Sequence, residues 1–394
     1  MSGAFYEREP HDAYAWMRAH APVYYDAPND LWAVASYSGV KTASVDTESF
    51  SSAGGIRPQF PPLPMMIDFD APEHVRRRRL VSEGFTPKRV RAMEIDLRRI
   101  CDEIIDGVCE RGTCDFVSEI AAPLPIIVIG DMLGVAPEDR DMLLRWSDDM
   151  LKSLGSPDPE LVGGAAVAFG EYTEYIHPVL DDRRQRGTTD DLVGVLCHAE
   201  IDGDRLDDDS LVHETLLILI GGDETTRHVI SGGVEELVAH PEQMQQLAAH
   251  PELIPVAVEE MLRWVSPIKN MARTATRDVE LEGARIEAGQ ELILLYPSAN
   301  RDEAVFENPD SFDIARTPNP HMAFGFGAHF CLGNQLARLE LKVMVDRLLA
   351  RLPDLHLSVE RKELPRRAAN FISGIERMPV AFTPTARVGA GTSR

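Results

Sequence analysis

Phe324-Gly325-Phe326-Gly327-Ala328-His329-Phe330-Cys331-Leu332-Gly333 is the stretch that decides how this chain is read. It ends a long segment, 297–331, that is rich in Pro and Gly and lacks periodicity. A helical pattern follows at once, with Leu336, Leu339, Val343, Leu348 and Leu352 on its buried side. Cys331 thus stands at a helix start, where free backbone N–H groups and the dipole favour a thiolate. The glycines let the loop turn tightly and let its backbone approach a flat ligand. Phe324 and Phe330 can seal the sulfur from water. An inert buried cysteine, the usual fate of a free thiol, needs neither the glycines nor the helix start.

The rest of the chain sets the bounds. It has 394 residues and a net charge of 40 − 64 = −24, which argues against nucleic acid or an anionic membrane as partner. A basic island, 74–79 with Lys88, Arg89 and Arg91, stands out against that background. Cys101, Cys109, Cys114, Cys197 and Cys331 are odd in number and form no Cys-x-x-Cys pair, so a disulfide framework or zinc ribbon is not expected. The first residues show no secretory pattern. No apolar run reaches the ~18–20 residues of a membrane span. A soluble cytoplasmic protein without a membrane span is expected.

Long helical patterns are read at 89–110, 210–240, 251–264 and 334–352. Hairpins are read at 23–37 and 279–295. Segments 46–70 and 297–331 are irregular and need a reason to be ordered. The expected fold is mainly helical, with a minor β part and no linker between domains.

Gly221-Gly222-Asp223-Glu224-Thr225-Thr226 lies inside the long central helix. Adjacent glycines cost a helix about 1 kcal/mol each relative to Ala. They suit either a helix crossing or a local opening that leaves a small pocket. Glu224 beside Thr225 places an acid next to an alcohol, a pair able to deliver protons into a dry site. Glu260-Met261-Leu262-Arg263 offers an i, i+3 ion pair, and Phe306-Glu307-Asn308-Pro309 precedes Phe312-Asp313-Ile314-Ala315-Arg316.

Taken in order, these motifs resemble the cytochrome P-450 family along nearly the whole chain. The resemblance implies a single haem-binding domain over 1–394 with small β sheets, its ends 1–8 and 385–394 flexible. It implies haem b ligated by Cys331, with Gly222, Phe324 and Gly333 against the cofactor. His74, Arg78, Arg273 and His329 would hold the propionates. Glu224 and Thr225 would manage protons during oxygen activation. Glu260, Arg263 and Arg316 would order the loop that carries Cys331. Electrons would come from NAD(P)H through a reductase and a ferredoxin, which would dock near Arg76, Arg77, Arg79, Lys88 and Arg89.

The family's substrate-contacting positions read Ile56, Phe60, Leu63, Met65, Met66, Ile67, Leu217, Ile220, Ile268, Met271, Phe371 and Ile372 here, all apolar. Such walls suit a large lipophilic molecule. Gly54-Gly55-Ile56-Arg57-Pro58, Leu63-Pro64-Met65-Met66-Ile67-Asp68, the segment 216–227 and Ala369-Asn370-Phe371-Ile372-Ser373-Gly374 are similar to the actinobacterial subfamily that hydroxylates the terminal side-chain carbon of cholesterol and cholest-4-en-3-one. The chain departs from it at 155–169 and 269–272. A monooxygenase acting on a sterol or steroid is the expectation. The alternatives are a tailoring hydroxylase for a polyketide or peptide, a peroxygenase, against which Glu224-Thr225 speaks, and a non-enzymatic haem sensor.

Overall fold

The computed structural model describes residues 2–154, 158–187 and 191–389. Residues 390–394 and Met1, part of the chain ends expected to be flexible, lie outside the described residues, as do 155–157 of the divergent segment.

Helices dominate, and seven of them build the site. They are α1 Glu73–Ser82, α2 Pro123–Leu133, α3 Arg140–Ser153, α4 Pro159–Arg186, α5 Asp208–Ala239, α6 Ile254–Val265 and α7 Asn334–Arg351. The long α5 starts where Asp207 accepts a hydrogen bond from the Ser210 N–H at 2.8 Å, an N-cap that the acidic run supplies. From Ser210 to Leu237 it is buried on almost every side, so it is a core helix and not an amphipathic one. Helices α2, α3, α6 and α7 pack around it. Gly232 and Gly233 let α6 approach, because a Cβ at either would overlap Val265 or Met261.

The main sheet has strands β1 Val23–Asp26, β2 Leu31–Val34, β3 Phe50–Ser51, β4 Met271–Ala275 and β5 Glu291–Leu294. Their order is β1-β2-β5-β4-β3, with only β2 and β5 parallel. The hairpin expected at 23–37 is β1–β2, with Val23 opposite Val34. The expected second hairpin is shorter than read. Val279–Leu281 pairs with Ala284–Ile286, whereas Glu291–Leu294 crosses to the main sheet. Alternation alone does not choose between two available partners. The pattern at 89–110 likewise divides at Met93 into Pro87–Ala92 and Glu94–Asp106.

Helices α2, α3 and α4 were not expected. In α4 only Ala168, Tyr172, Ile176 and Leu180 are buried, a stripe four residues apart on a helix that otherwise faces outward. Gly163, Gly164 and the internal Pro178 mask its pattern. Among the described residues, no helix is long and apolar enough to cross a membrane.

Candidate active site

A cavity of about 630 Å³ runs through the centre of the protein, and Cys331 projects into it. Gly325 and Gly327 have φ of 69° and 75°, the left-handed region that glycine tolerates. At Gly327 a Cβ would also collide with the Ser44 carbonyl. The Cys331 N–H donates to the Phe324 carbonyl at 2.9 Å, and Asn334 Nδ2 donates to the Cys331 carbonyl at 2.7 Å. Phe324 and Phe330 meet edge to face near the sulfur. Helix α7 begins at Asn334 with Gly333 as its cap, and the Gly333 N–H reaches back to the sulfur. Burial pushes the Cys331 thiol up, while that N–H, Arg78 and Arg338 pull it down. The helix start therefore favours the thiolate without securing it. A bound metal cation would complete the ionisation.

Basic side chains gather beside the sulfur. His74 and His329 stack with ring centroids 4.1 Å apart, and both line the cavity with Arg78. Burial lowers all three; neighbouring positive groups lower the two imidazoles further, His329 to about 3, whereas Cys331 acts on Arg78 in the opposite direction. Arg78 donates to the Phe330 carbonyl. His329 Nε2 lies 3.2 Å from Ser52 Oγ, and the buried His74 Nε2 has no partner among the described residues. Arg273 is buried behind the cavity wall, its Nη1 donating to the Ala272 carbonyl at 2.7 Å, and its charge bears on both imidazoles. Phe324, Gly222 and Gly333 also line the cavity. One thiol, apolar walls and clustered basic side chains with an orphaned imidazole nitrogen fit a flat, dianionic, metal-centred macrocycle.

Helix α5 runs unbroken through Gly221 and Gly222, so no opened turn is present. Its glycines divide the labour. A Cβ at Gly222 would collide with Ile129 of α2, which makes this a helix crossing, whereas Gly221 faces open space. Thr225 lines the cavity and its Oγ1 donates to the Gly221 carbonyl at 2.8 Å. Glu224 does not line it. Its carboxylate is wholly buried between Arg227, Arg367 Nη1 at 2.9 Å and His228 Nε2 at 3.1 Å. Burial works against the ionised form, but His228 and Arg227 outweigh it and hold Glu224 well below the usual carboxylate range.

All twelve apolar positions named from the sequence line the same cavity. The reason that 46–70 is ordered lies in Asp68, which the sequence reading passed over. Its Oδ1 accepts from the Ile56 N–H at 2.9 Å, and its Oδ2 accepts from Arg57 Nη1 at 2.7 Å and the Leu63 N–H at 2.8 Å. Also missed were Met150, Leu151, Val162, Ala166 and Phe169, wall residues on α3 and α4 that no motif marks. Two buried acids escaped notice as well. Burial raises Asp223 to about 7 and Glu340, another wall residue, to about 8.

Glu260, Arg263 and Arg316 come together beneath the 297–331 segment. Arg263 donates two bonds to Glu260 at 2.7 Å each, and Arg316 Nε donates a third at 3.1 Å. Their remaining N–H groups take the carbonyls of Asn300, Glu307, Asn308, Pro309 and Ser311. Nearby, Arg338 clamps Glu259 at 2.7 and 2.9 Å and lies over the Phe324 ring.

The basic island needs one correction. Arg77 points inward, bonded to Glu73, to Glu214 Oε1 at 3.1 Å and to the Pro64 carbonyl at 3.0 Å, and offers no surface to a partner. Arg76 is half-buried and held by Glu73 and Asp204. Arg79 and Lys88 are exposed and Arg89 partly so.

A model of the cytochrome P450 family matches residues 139–367. The steroid C26-monooxygenase of Mycobacterium tuberculosis is 55% identical over 389 residues, covering 98% of this chain and 97% of the relative. The steroid C26-monooxygenase of Mycolicibacterium smegmatis is 54% identical, covering 98% and 96%. A crystal structure of CYP109E1 from Bacillus megaterium in complex with testosterone superposes with a TM-score of 0.86 at 35% identity, covering 95% of this chain and 99% of that one.

Proposed function

The chain belongs to the cytochrome P450 family, and from that premise we propose that it is a haem-thiolate monooxygenase hydroxylating the terminal side-chain carbon of a sterol or steroid such as cholest-4-en-3-one. One observation carries the reading. The cavity that receives Cys331 continues into walls made almost wholly of aliphatic and aromatic side chains. The name steroid C26-monooxygenase, borne by relatives similar from end to end, supports the position of attack.

Cys331 would ligate the iron, His74, Arg78 and His329 would hold the propionates by charge-assisted hydrogen bonds, and Arg273 would join them on turning from the Ala272 carbonyl to the cavity. The haem, when bound, supplies reductive activation of O₂, so that one oxygen atom enters a C–H bond and the other leaves as water, with two electrons and two protons consumed. Phe324 and Phe330 keep water from the sulfur. Thr225, its proton turned to the Gly221 carbonyl, presents lone pairs to the cavity and holds a proton-bearing group there. Glu224 hands protons to that hydroxyl after exchanging one of its cationic partners. The ion knot of Glu260, Arg263 and Arg316 fixes the ligand loop without touching the reacting atoms. The whole chain acts as one domain, in the cytoplasm. Electrons come from NAD(P)H through a reductase and ferredoxin, which docks on Arg79, Lys88 and Arg89 with Arg76 at the margin. This patch attracts an acidic partner because it is basic, and the acidic remainder of the chain repels that partner elsewhere.

A spin-state titration tests the reading. Cholest-4-en-3-one is expected to shift the ferric iron to high spin. A shift produced by a polyketide or peptide scaffold, and by no sterol or steroid enone, would move the assignment to a tailoring hydroxylase.

A further inference from the structure

Glu224 is sealed from the surface, yet its proposed role requires protons to reach it. Four side chains touch it: Arg227, Arg367, His228 and Asp148. A guanidinium does not give up its proton, so the two arginines hold Glu224 without supplying it. Asp148 is paired with Arg227 at 3.2 Å, Arg367 at 3.5 Å and Lys152 at 3.6 Å, but burial and its hydrogen bond with Glu224 push its carboxyl up, so it is the rival donor, and it lines neither cavity. His228 is different. Its Nε2 lies 3.1 Å from Glu224 Oε2, within ion-pair reach but not aligned as a good hydrogen bond, and its Nδ1 has no partner among the described residues. Burial lowers the imidazole to about 4, so the ring is neutral and carries one N–H and one lone pair.

His228 also lines a second, separate cavity of about 40 Å³, with room for about two or three water molecules. That cavity is walled by polar groups, among them Glu235, Lys269 and Ser373, and Glu9 at its edge is exposed. Gly374 stands against Nδ1, and a Cβ there would overlap that nitrogen. The glycine keeps the lone pair accessible from the small cavity.

We infer that His228 is the proton entry to the active site, linking water in the second cavity to Glu224. A water in the small cavity gives a proton to Nδ1, Nε2 releases its own to Glu224 Oε2, and the hydroxide left behind takes a proton from bulk water at the exposed edge beside Glu9. One proton moves inward and the ring ends neutral, as the opposite tautomer. Turning of the side chain brings Nε2 to the same water, which protonates Nε2 and takes the proton from Nδ1, so the starting tautomer returns with no net proton moved. No electrons are involved. The inference rests on the reading of Glu224 and Thr225 as the proton pair.

The test uses holoenzyme. His228→Gln keeps an N–H donor near Glu224 but passes no proton. Gly374→Ala keeps the histidine but displaces its ring from the small cavity, because the new Cβ would overlap Nδ1, Cγ and Cβ. Each is expected to lower product formation about a hundredfold, the low end for a positioned acid–base group, and to raise the solvent deuterium isotope effect. Substrate spin-state affinity should be unchanged. Asp148→Asn should leave the isotope effect as in wild type. A high-resolution structure of the holoenzyme should show an ordered water within hydrogen-bond distance of His228 Nδ1. A dry second cavity overturns the inference. So does a wild-type isotope effect in both variants, or one that rises in Asp148→Asn alone. Thr225→Ala separates the two levels. If it uncouples oxygen reduction from product while His228→Gln behaves as wild type, only His228 loses its role. If neither variant differs from wild type, the proton pair itself is wrong.

Discussion

Glu260→Gln removes one negative charge from the knot beneath the ligand loop and keeps the side-chain shape. Glu260 accepts from Arg263 twice, from Arg316 Nε, from the Asp313 N–H at 2.9 Å and from Asn319 Nδ2 at 3.1 Å. Arg263 is fully buried and would keep its charge without a counter-ion. Removing one partner of a buried pair costs about 3–5 kcal/mol, because the other charge stays desolvated. With about 2.1 cal/mol/K of unfolding entropy per residue, 394 residues give about 0.8 kcal/mol/K, so the melting temperature should fall by about 4–6 °C. The amide also turns an N–H toward donors that expect an acceptor, and the segment 297–331 should loosen. Calorimetry of the holoenzyme reads the first effect, and the fraction of chain retaining haem after gel filtration reads the second. The exposed Glu280→Gln serves as control and should change neither. A melting temperature within about one degree of wild type, with full haem retention, would refute the claim that this knot holds the ligand loop.

Three further outcomes follow from the same geometry. Thr225→Ala should maintain NAD(P)H consumption while product falls and hydrogen peroxide accumulates; unchanged coupling would remove Thr225 from proton handling. Asp68→Asn forces a donor against Ile56 or against Arg57 and Leu63, whichever way the amide turns. Stability should fall by about 3 kcal/mol, and steroid titration should weaken more than haem binding. Glu340→Gln tests the buried acid. Burial raises Glu340 to about 8, so between the ordinary carboxylate range and pH 8 the folded chain holds a proton that the unfolded chain has lost. Stability from this group is full at low pH and declines as pH rises through 8. The variant should flatten that decline, and an unaltered pH–stability slope would contradict it.

The ligand loop was legible because its backbone demands its residues one by one. Gly327 must be glycine to pass Ser44, and Cys331 must precede a helix. The central helix was legible from the acidic run that caps it and the apolar residues that recur along it. What the sequence hid depends on partners far along the chain. Arg77 reads as one more surface charge until Glu214, 137 residues away, draws it inward. Asp68 is an ordinary loop acid until three donors converge on it. The α3 and α4 walls carry no motif, since a lid over a lipophilic cavity needs only apolar bulk. Glu224 reads as a free acid in the motif, and only its contacts with Arg227, Arg367 and His228 reveal that it is tethered.

The position of the new hydroxyl tests the central claim most directly. Holoenzyme reconstituted with a ferredoxin, its reductase and NAD(P)H is given cholest-4-en-3-one, and the product is identified by mass spectrometry and NMR. Oxygen from O₂ on the terminal side-chain carbon, lost when Cys331 is replaced by serine, is the predicted result. Hydroxylation confined to the steroid rings, or no turnover of any sterol or steroid enone while another lipophilic scaffold is oxidised, would contradict it.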